Sequence, residues 1–268
     1  MNRGLMWVHA EIMTNPSSNS LSSSLSSSSY EVMFTTTHLE SFIPKNQYPL
    51  PNKEHHDGAN ARQSQILEAM KFCQDYQSNK VRPSANSNPS FASSSSSSLL
   101  INSSSPKNNI QAIFITGDLN WDDERKRRKT KPSDPPLLPF INERRKHEWV
   151  DAWKTCKSNQ DDGYTYDSKL NPMLKGNLRK RFDRCLAYFT PPNRNTRTGV
   201  RKSKKRFQML GVQDCELIGM EAIDGIQWRK ETPIWKYGKP SGEFKYDMRP
   251  VCASDHFGVL VTLSGTQK

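Results

Sequence analysis

The sequence is poor in the features that mark secreted, zinc-binding and membrane-spanning chains. Its five cysteines are scattered, and no two of them form a C-x-x-C pair. An odd number of dispersed cysteines indicates neither a disulfide framework nor a zinc site, so we expect a reducing intracellular compartment. No apolar run approaches the roughly 18 residues that a membrane span requires, and no export signal is visible. We therefore expect no membrane partner.

Hydrophobic residues are also scarce for a chain of this length. They make up 34% of 268 residues, which predicts that part of the chain lies outside a packed core. Segments 14–29, 77–109 and 190–206 are rich in serine, asparagine, proline or basic residues. Such segments cannot bury enough apolar area to offset their ordering entropy. We predict that they are disordered insertions in one domain that spans residues 1–268.

Positive charge is the property that the sequence has in excess. The net charge is +12 and the sequence pI is near 9.5, which favours a polyanionic partner such as nucleic acid. The basic run at residues 125–131 is typical of a solvated tail, a nuclear localisation signal or a phosphate-attracting rim. The run at residues 193–206 is interpreted either as an electrostatic funnel for DNA or as a disordered surface insertion.

Periodic patterns predict both strands and helices. Alternation over residues 6–12 predicts a strand that buries every second side chain from Met6 to Ile12. Helical spacing over residues 61–76 predicts a helix that packs its stripe from Ile66 to Cys73 on a sheet and turns Arg62 outward. Residues 148–156 predict a short helix whose tryptophans belong to the core. Residues 180–189 alternate again, which predicts a strand with Asp183 opposite Phe182 and Arg184.

Three predicted strands adjoin polar side chains that can do chemistry. The apolar run at residues 113–116 meets Gly117, and Asp118 and Asn120 follow it. His38 follows the run at residues 30–36, and Asp255 and His256 come just before the run at residues 259–261. Asp118 and Asn120 alone would suit an Asx-rich turn after a core strand. Three such clusters instead favour a site built along a sheet edge.

These residue types suit the cleavage of a phosphodiester. In-line cleavage needs a cation on a non-bridging oxygen, a group that holds or activates water, and donors for the charge that develops on phosphorus. Asp118 can hold or activate water, and Asn120 can fix that carboxylate and a phosphate oxygen. His256, oriented by Asp255, can donate a proton or hydrogen bond to the developing charge, and His38 is a second donor.

Four ordered motifs add a family resemblance. They are THLES at residues 37–41, GDLN at 117–120, RFDR at 181–184 and SDHFG at 254–258. Together they resemble the endonuclease/exonuclease/phosphatase superfamily and, within it, the tyrosyl-DNA phosphodiesterase 2 branch. The resemblance implies an α+β fold, the four-layer αββα sandwich of the DNase I-like type. The family's N-terminal strands, with its magnesium-binding glutamate, have no counterpart here, so the expected domain is the C-terminal two thirds. Glu11 and Glu40 do not stand in the context of that glutamate.

The same resemblance implies roles for individual residues. It assigns catalysis to Asp118, Asn120, His38, His256 and Asp255. It assigns substrate contacts to Tyr166, Arg181, Asp183 and Ser254, and it makes Asp118 a ligand of Mg²⁺ or Mn²⁺.

The implied function is hydrolysis of 5′-phosphotyrosyl adducts on single-stranded or end-bearing DNA during DNA repair. The expected localisation is the nucleus, including nuclear bodies, or the cytoplasm. Two alternatives remain open: another phosphoesterase or nuclease of the superfamily, and a catalytically silent basic fragment that binds nucleic acid.

Overall fold

The computed structural model describes residues 5–14, 28–39, 58–78, 110–123, 134–145, 148–157, 161–190 and 208–267. Both basic runs, Glu40 and most of the predicted insertions lie outside these ranges. The ends of the first insertion lie within them and belong to strands, because β1 (Leu5–Thr14) extends to Thr14 and β2 (Ser28–Thr37) begins at Ser28.

The centre of the structure is a mixed five-stranded sheet. Besides β1 and β2 it contains β3 (Ile110–Asp118), β4 (Val150–Asp151) and β7 (Asp183–Phe189), and the strand order is β1-β2-β3-β7-β4. β2 and β3 run parallel, and β7 runs antiparallel to β3. The C-terminal ends of β2 and β3 therefore lie at the same edge as the N-terminal end of β7. This edge brings Thr37, Asp118 and Asp183 together.

Two helices contribute to the core on one face of this sheet. They are α1 (Ala59–Gln77) and α2 (Leu137–Arg145), and the predicted stripe of α1 is buried there together with Ile113 and Leu186. Arg62 does not point outward as expected. Its guanidinium is fully buried and donates to the carboxylate of Asp134 at 2.8 and 3.1 Å. No local pattern in the sequence indicates this partner, because Asp134 lies 72 positions from Arg62.

The opposite face packs against a smaller sheet of β8 (Gln208–Ile218) and β11 (Gly258–Gln267). Val32 and Phe114 from the large sheet are buried here with Cys215 from β8 and with Trp153 of α3 (Ala152–Cys156). Met6 and Val8 of β1, which alternation assigns to a buried face, are exposed. The described elements establish a mixed α+β, strand-rich fold, and the four-layer αββα sandwich stays a prediction.

The remaining strands form two hairpin-like pairs. β5 (Tyr166–Asp167) and β6 (Arg179–Lys180) make a short ladder near the site. β9 (Ala222–Lys236) and β10 (Lys239–Cys252) make a long two-stranded ribbon that the sequence patterns do not predict. Within the described ranges, no helix is long and apolar enough to cross a membrane.

Candidate active site

Asp118 lies at the edge of the large sheet, where β3 ends opposite Asp183 of β7. Its Oδ1 accepts a hydrogen bond from the backbone N–H of Asn120 at 2.8 Å. Its Oδ2 accepts from Nδ2 of Asn120 at 3.2 Å and lies 3.3 Å from Nε2 of His38. The His38 side chain is 59% exposed, so solvent reaches this side of the carboxylate. Three polar groups therefore surround one carboxylate.

Gly117 lets the two strand ends approach each other at this edge. Its φ is +120°, and a Cβ built on it would lie 2.1 Å from the carbonyl oxygen of Thr37. No residue with a side chain fits this approach. The glycine of the GDLN motif is therefore a packing requirement that positions Asp118 beside the end of β2.

Asn120 orients Asp118 instead of leaving its amide free for a phosphate. The residue is buried and takes a left-handed φ of 47°, a conformation for which asparagine is enriched. Its Nδ2 donates both to Asp118 and to the carbonyl of Leu39 at 3.2 Å. Both amide protons are thus used within the protein. The expected contact of Asn120 with Asp118 is present. No amide proton of Asn120 remains for the expected hydrogen bond to a phosphate oxygen.

His256 is held by Asp183, which corrects the assignment of Asp255 to this task. Nδ1 of His256 lies 2.7 Å from Oδ2 of Asp183. The carboxylate of Asp255 accepts from the hydroxyl of Ser254 at 3.3 Å, and both of these residues are exposed. The predicted alternation holds within β7, because Leu186 and Tyr188 are buried on one face of the sheet and Cys185 and Ala187 on the other. It does not extend to Phe182, which precedes β7 and lies beside His256 as Asp183 does.

Aromatic rings flank the His256 imidazole. The ring of Tyr166 meets it edge-on at a centroid distance of 5.2 Å, and the ring of Phe182 lies nearly parallel to it at 6.1 Å. Tyr166 therefore lies beside His256, and its expected place beside the scissile group stays a prediction. Phe182 was read from the sequence only as a strand residue. The position of Phe182 in the RFDR motif is the feature of the sequence that could have indicated a role beside His256.

Two residues that the sequence reasoning missed anchor the loop that carries His256. The buried hydroxyl of Thr165 accepts from the backbone N–H groups of Phe182 and Asp183 at 3.1 and 3.0 Å, while its carbonyl accepts from Phe257 at 2.7 Å. Nδ2 of Asn171 donates to the carbonyl of Ser254 at 2.8 Å. These bonds connect β7 with the loop before β11. No local sequence pattern marks either residue.

Arg181 is buried and bonded to Asp151, so its expected contact with substrate stays a prediction that this geometry does not support. Its guanidinium is buried and makes two hydrogen bonds to Asp151 at 2.9 and 2.8 Å. Arg184 is likewise buried and pairs with Asp123 at 2.6 Å. The arginines of the RFDR motif stabilise the fold, and the two residues between them contact His256.

The charges in the cluster shift two pKa values. Burial, together with the nearby charge of Asp183, raises the pKa of Asp118 despite the opposing hydrogen bond from Asn120. Burial would lower the pKa of His256, but the hydrogen bond and charge of Asp183, with smaller effects from Asp118 and Asp255, raise it. The cluster thus favours a protonated imidazole beside two carboxylates.

The carboxylates at this sheet edge fit Mg²⁺ only if the substrate phosphate supplies further oxygen ligands. Among the described residues, no group of three histidine, cysteine, aspartate or glutamate side chains could hold a metal ion. Mg²⁺ is commonly held by one or two carboxylates together with substrate phosphate, and the adjacent Asp118 and Asp183 offer such carboxylates. Glu11 pairs with Glu31 near the opposite end of β2, so it lies away from this edge.

The chain is similar to solved structures of TDP2. Against a truncated TDP2 from Caenorhabditis elegans the identity is 16% and the TM-score is 0.39, with 88% of this chain and 54% of that chain covered. A second structure of the C. elegans protein gives 16% and 0.41, with coverage of 88% and 42%. TDP2 from D. rerio in complex with a single-strand DNA product gives 16% and 0.42, with coverage of 98% and 62%.

The chain therefore spans less than two thirds of each of these structures. No family model matches the chain, and no curated protein matches it either.

Proposed function

We propose that this chain is a phosphodiesterase that acts on DNA ends. The proposal rests on one observation: Asp118, oriented by Asn120, and His256, held by Asp183, lie at the same sheet edge. This edge combines a carboxylate that can hold water with an imidazole that can donate to a phosphate oxygen. The charge of +12 favours a polyanionic substrate.

His256 acts as the donor in this mechanism. Because its Nδ1 is engaged by Asp183, Nε2 is the nitrogen that can donate to the charge that develops on the phosphoryl group. The raised pKa of His256 keeps the imidazole protonated nearer to neutral pH. Tyr166 and Phe182 restrict the ring to one orientation by packing against it.

Asp118 acts as the residue that positions and deprotonates the attacking water. Both of its oxygens accept hydrogen bonds from Asn120, which holds the carboxylate plane. His38 lies beside the same carboxylate and serves as a second donor. We propose Mg²⁺ as the cofactor, with Mn²⁺ as a substitute. Asp118 would hold the ion with the substrate phosphate, and the ion would supply positive charge to a non-bridging oxygen.

The proposed substrate is a 5′-phosphotyrosyl adduct on single-stranded or end-bearing DNA. Support comes from the four ordered motifs and from the aromatic wall of Tyr166 and Phe182 beside His256. We also propose a role in DNA repair in the nucleus, with residues 125–131 as the localisation signal. A second candidate is a silent nucleic-acid-binding fragment, which the lack of a three-ligand metal group within the described ranges favours.

A substrate panel tests this proposal. Purified protein and Mg²⁺ are incubated with one substrate per reaction, and the products are quantified. The substrates are a 5′-phosphotyrosyl oligonucleotide, an abasic-site duplex and an RNA oligonucleotide. We expect the 5′-phosphotyrosyl oligonucleotide to be hydrolysed faster than the other substrates, and we expect the Asp118→Ala variant to be inactive. Preference for another ester would assign the chain to a sibling phosphoesterase. DNA binding without turnover of any substrate would favour the silent fragment.

A further inference from the structure

Two cysteines from distant parts of the chain lie in contact where the small sheet packs against α3. The thiol of Cys215 donates to Sγ of Cys156, with the two sulfur atoms 3.8 Å apart, and the residues are 59 positions apart in sequence. Cys156 is the last residue of α3, and Cys215 lies within β8. The sulfur atoms are about 1.8 Å farther apart than they are in a disulfide.

The residues next in sequence hold these two cysteines side by side. Nζ of Lys157 donates to Oδ1 of Asp214 at 2.9 Å, and the same oxygen accepts from the backbone N–H of Cys215 at 2.7 Å. These bonds join the end of α3 to β8 directly beside the sulfur atoms. The two thiols are therefore kept together by bonds of their neighbours as well as by their own contact.

The two sulfur atoms differ in their access to solvent. Cys215 is 1% exposed and belongs to the core between the sheets, together with Val32 and Trp153. Cys156, at the end of its helix, is only half-buried. Burial raises the pKa of Cys215 to about 12, and the hydrogen bond to Cys156 adds to this shift. Cys215 therefore keeps its proton, and Cys156 is the sulfur that a small reagent in solution reaches first.

We infer that Cys156 and Cys215 form a disulfide when the protein meets hydrogen peroxide. A solvent-accessible sulfur with a second thiol beside it is the arrangement in which a sulfenic acid condenses to a disulfide. Rotation of the two side chains, with a small backbone shift at the end of α3, brings the sulfur atoms to bonding distance. The two thiols are the resting form in a reducing compartment, and a dithiol reductant restores them.

The reaction has two steps. In the first, the sulfur of Cys156 attacks one oxygen of the peroxide and the O–O bond breaks. The thiol proton and the leaving hydroxyl make water, and Cys156 becomes a sulfenic acid. In the second, the sulfur of Cys215 attacks that of Cys156 and the S–O bond breaks, while the Cys215 proton and the leaving hydroxyl make water. Two thiols and one peroxide thus give one disulfide and two molecules of water.

The disulfide ties the small sheet to the large one. α3 directly follows β4 of the large sheet. Cys215 pairs with Val261 of β11, and His256 lies two positions before that strand. The large sheet carries Asp183, the partner of His256. Oxidation therefore reinforces the connection between the two layers that meet at the candidate site.

Peptide mapping tests the cross-link. Folded protein is treated with hydrogen peroxide, its remaining thiols are alkylated, and it is digested without reduction and analysed by mass spectrometry. We expect one cross-linked peptide pair that contains Cys156 and Cys215, and we expect three of the five thiols to remain. Cys185 shares the buried cluster with Cys215 and is the competing partner. A disulfide between Cys156 and Cys185, or five remaining thiols in folded protein, would overturn the inference.

Two variants separate the steps of the reaction. In Cys215→Ala we expect oxidation to stop at the sulfenic acid, so that Cys156 is labelled by dimedone. In Cys156→Ala, which changes the half-buried partner, we expect the Cys215 thiol to stay reduced. The matched control is Cys73→Ala, which removes an equally buried thiol from the other face of the large sheet and should keep the cross-link. A cross-link to Cys215 that survives in Cys156→Ala would contradict the assignment.

Thermal unfolding tests the effect of the bond on the two sheets. Because the cross-link joins positions 59 residues apart, it restricts the unfolded chain, and the melting temperature of oxidised wild type should rise by about 5 °C or more. Peroxide should not raise the melting temperature of Cys156→Ala, and a dithiol reductant should abolish the rise in wild type. Cross-linking without any rise would overturn the stabilising role. None of these measurements uses hydrolysis, so failure of the proposed function leaves them unaffected.

Discussion

Nδ1 of His256 lies 2.7 Å from Oδ2 of Asp183, a residue 73 positions earlier in the chain. Asp183 also pairs with Asp118 across the two adjacent strands β3 and β7. One residue therefore joins both halves of the candidate site, and it connects the loop before β11 with the large sheet. The carboxylate next to His256 in sequence, Asp255, points to Ser254 instead.

The contact between His256 and Asp183 predicts how the activity depends on pH. The raised pKa of His256 keeps the donor protonated above the ordinary imidazole value, and activity should fall as pH rises through that raised pKa. Asp183→Asn removes the main raising cause, so the basic limb of the pH–rate profile should move to lower pH. Asp255→Asn, the matched control, should move it less. NMR titration of His256 in both variants checks the assignment, and equal shifts would contradict it.

The Arg181 and Asp151 pair predicts a large effect on stability. Both side chains are buried, with exposed fractions of 2% and 1%. Arg181→Met leaves a buried carboxylate without its main partner, which costs about 3–5 kcal/mol. Arg229→Met, which breaks a solvent-exposed pair, should cost about 0–1 kcal/mol. Denaturant unfolding of the two variants gives both free energies. A stable Arg181→Met protein with weakened substrate binding would restore the substrate role.

Substitution of Gly117 should cause a steric clash, and a matched substitution of Gly176 separates this clash from backbone strain alone. Gly117→Ala brings a Cβ to 2.1 Å from the carbonyl oxygen of Thr37, so the ends of β2 and β3 must separate and Asp118 must move. Gly176 also has a positive φ, +89°, but a Cβ there meets no atom within 4 Å. Gly176→Ala should cost only the backbone strain of about 1–2 kcal/mol. Thermal unfolding should show a clearly larger loss for Gly117→Ala, and equal losses would contradict the packing argument.

Sequence reasoning succeeded where a pattern is local and failed where a partner is distant. The apolar run before Asp118 and the stripe of α1 mark their own burial, so the strand and the helix were predicted correctly. Arg62 and Arg181 were read as surface or substrate residues because their partners, Asp134 and Asp151, lie 72 and 30 positions away. The β9 and β10 ribbon was missed because strands with no buried face lack a clear alternation.

In the proposed mechanism Asp118 activates the nucleophile for a phosphodiester bound at this edge. The most direct measurement is the single-turnover rate of tyrosine release from a 5′-phosphotyrosyl oligonucleotide with Mg²⁺, for wild type and Asp118→Ala. We expect release by wild type to stop when the metal is chelated. We expect the variant to be slower by at least about 10²-fold while its DNA affinity is retained. Equal rates for the two proteins would contradict the claim.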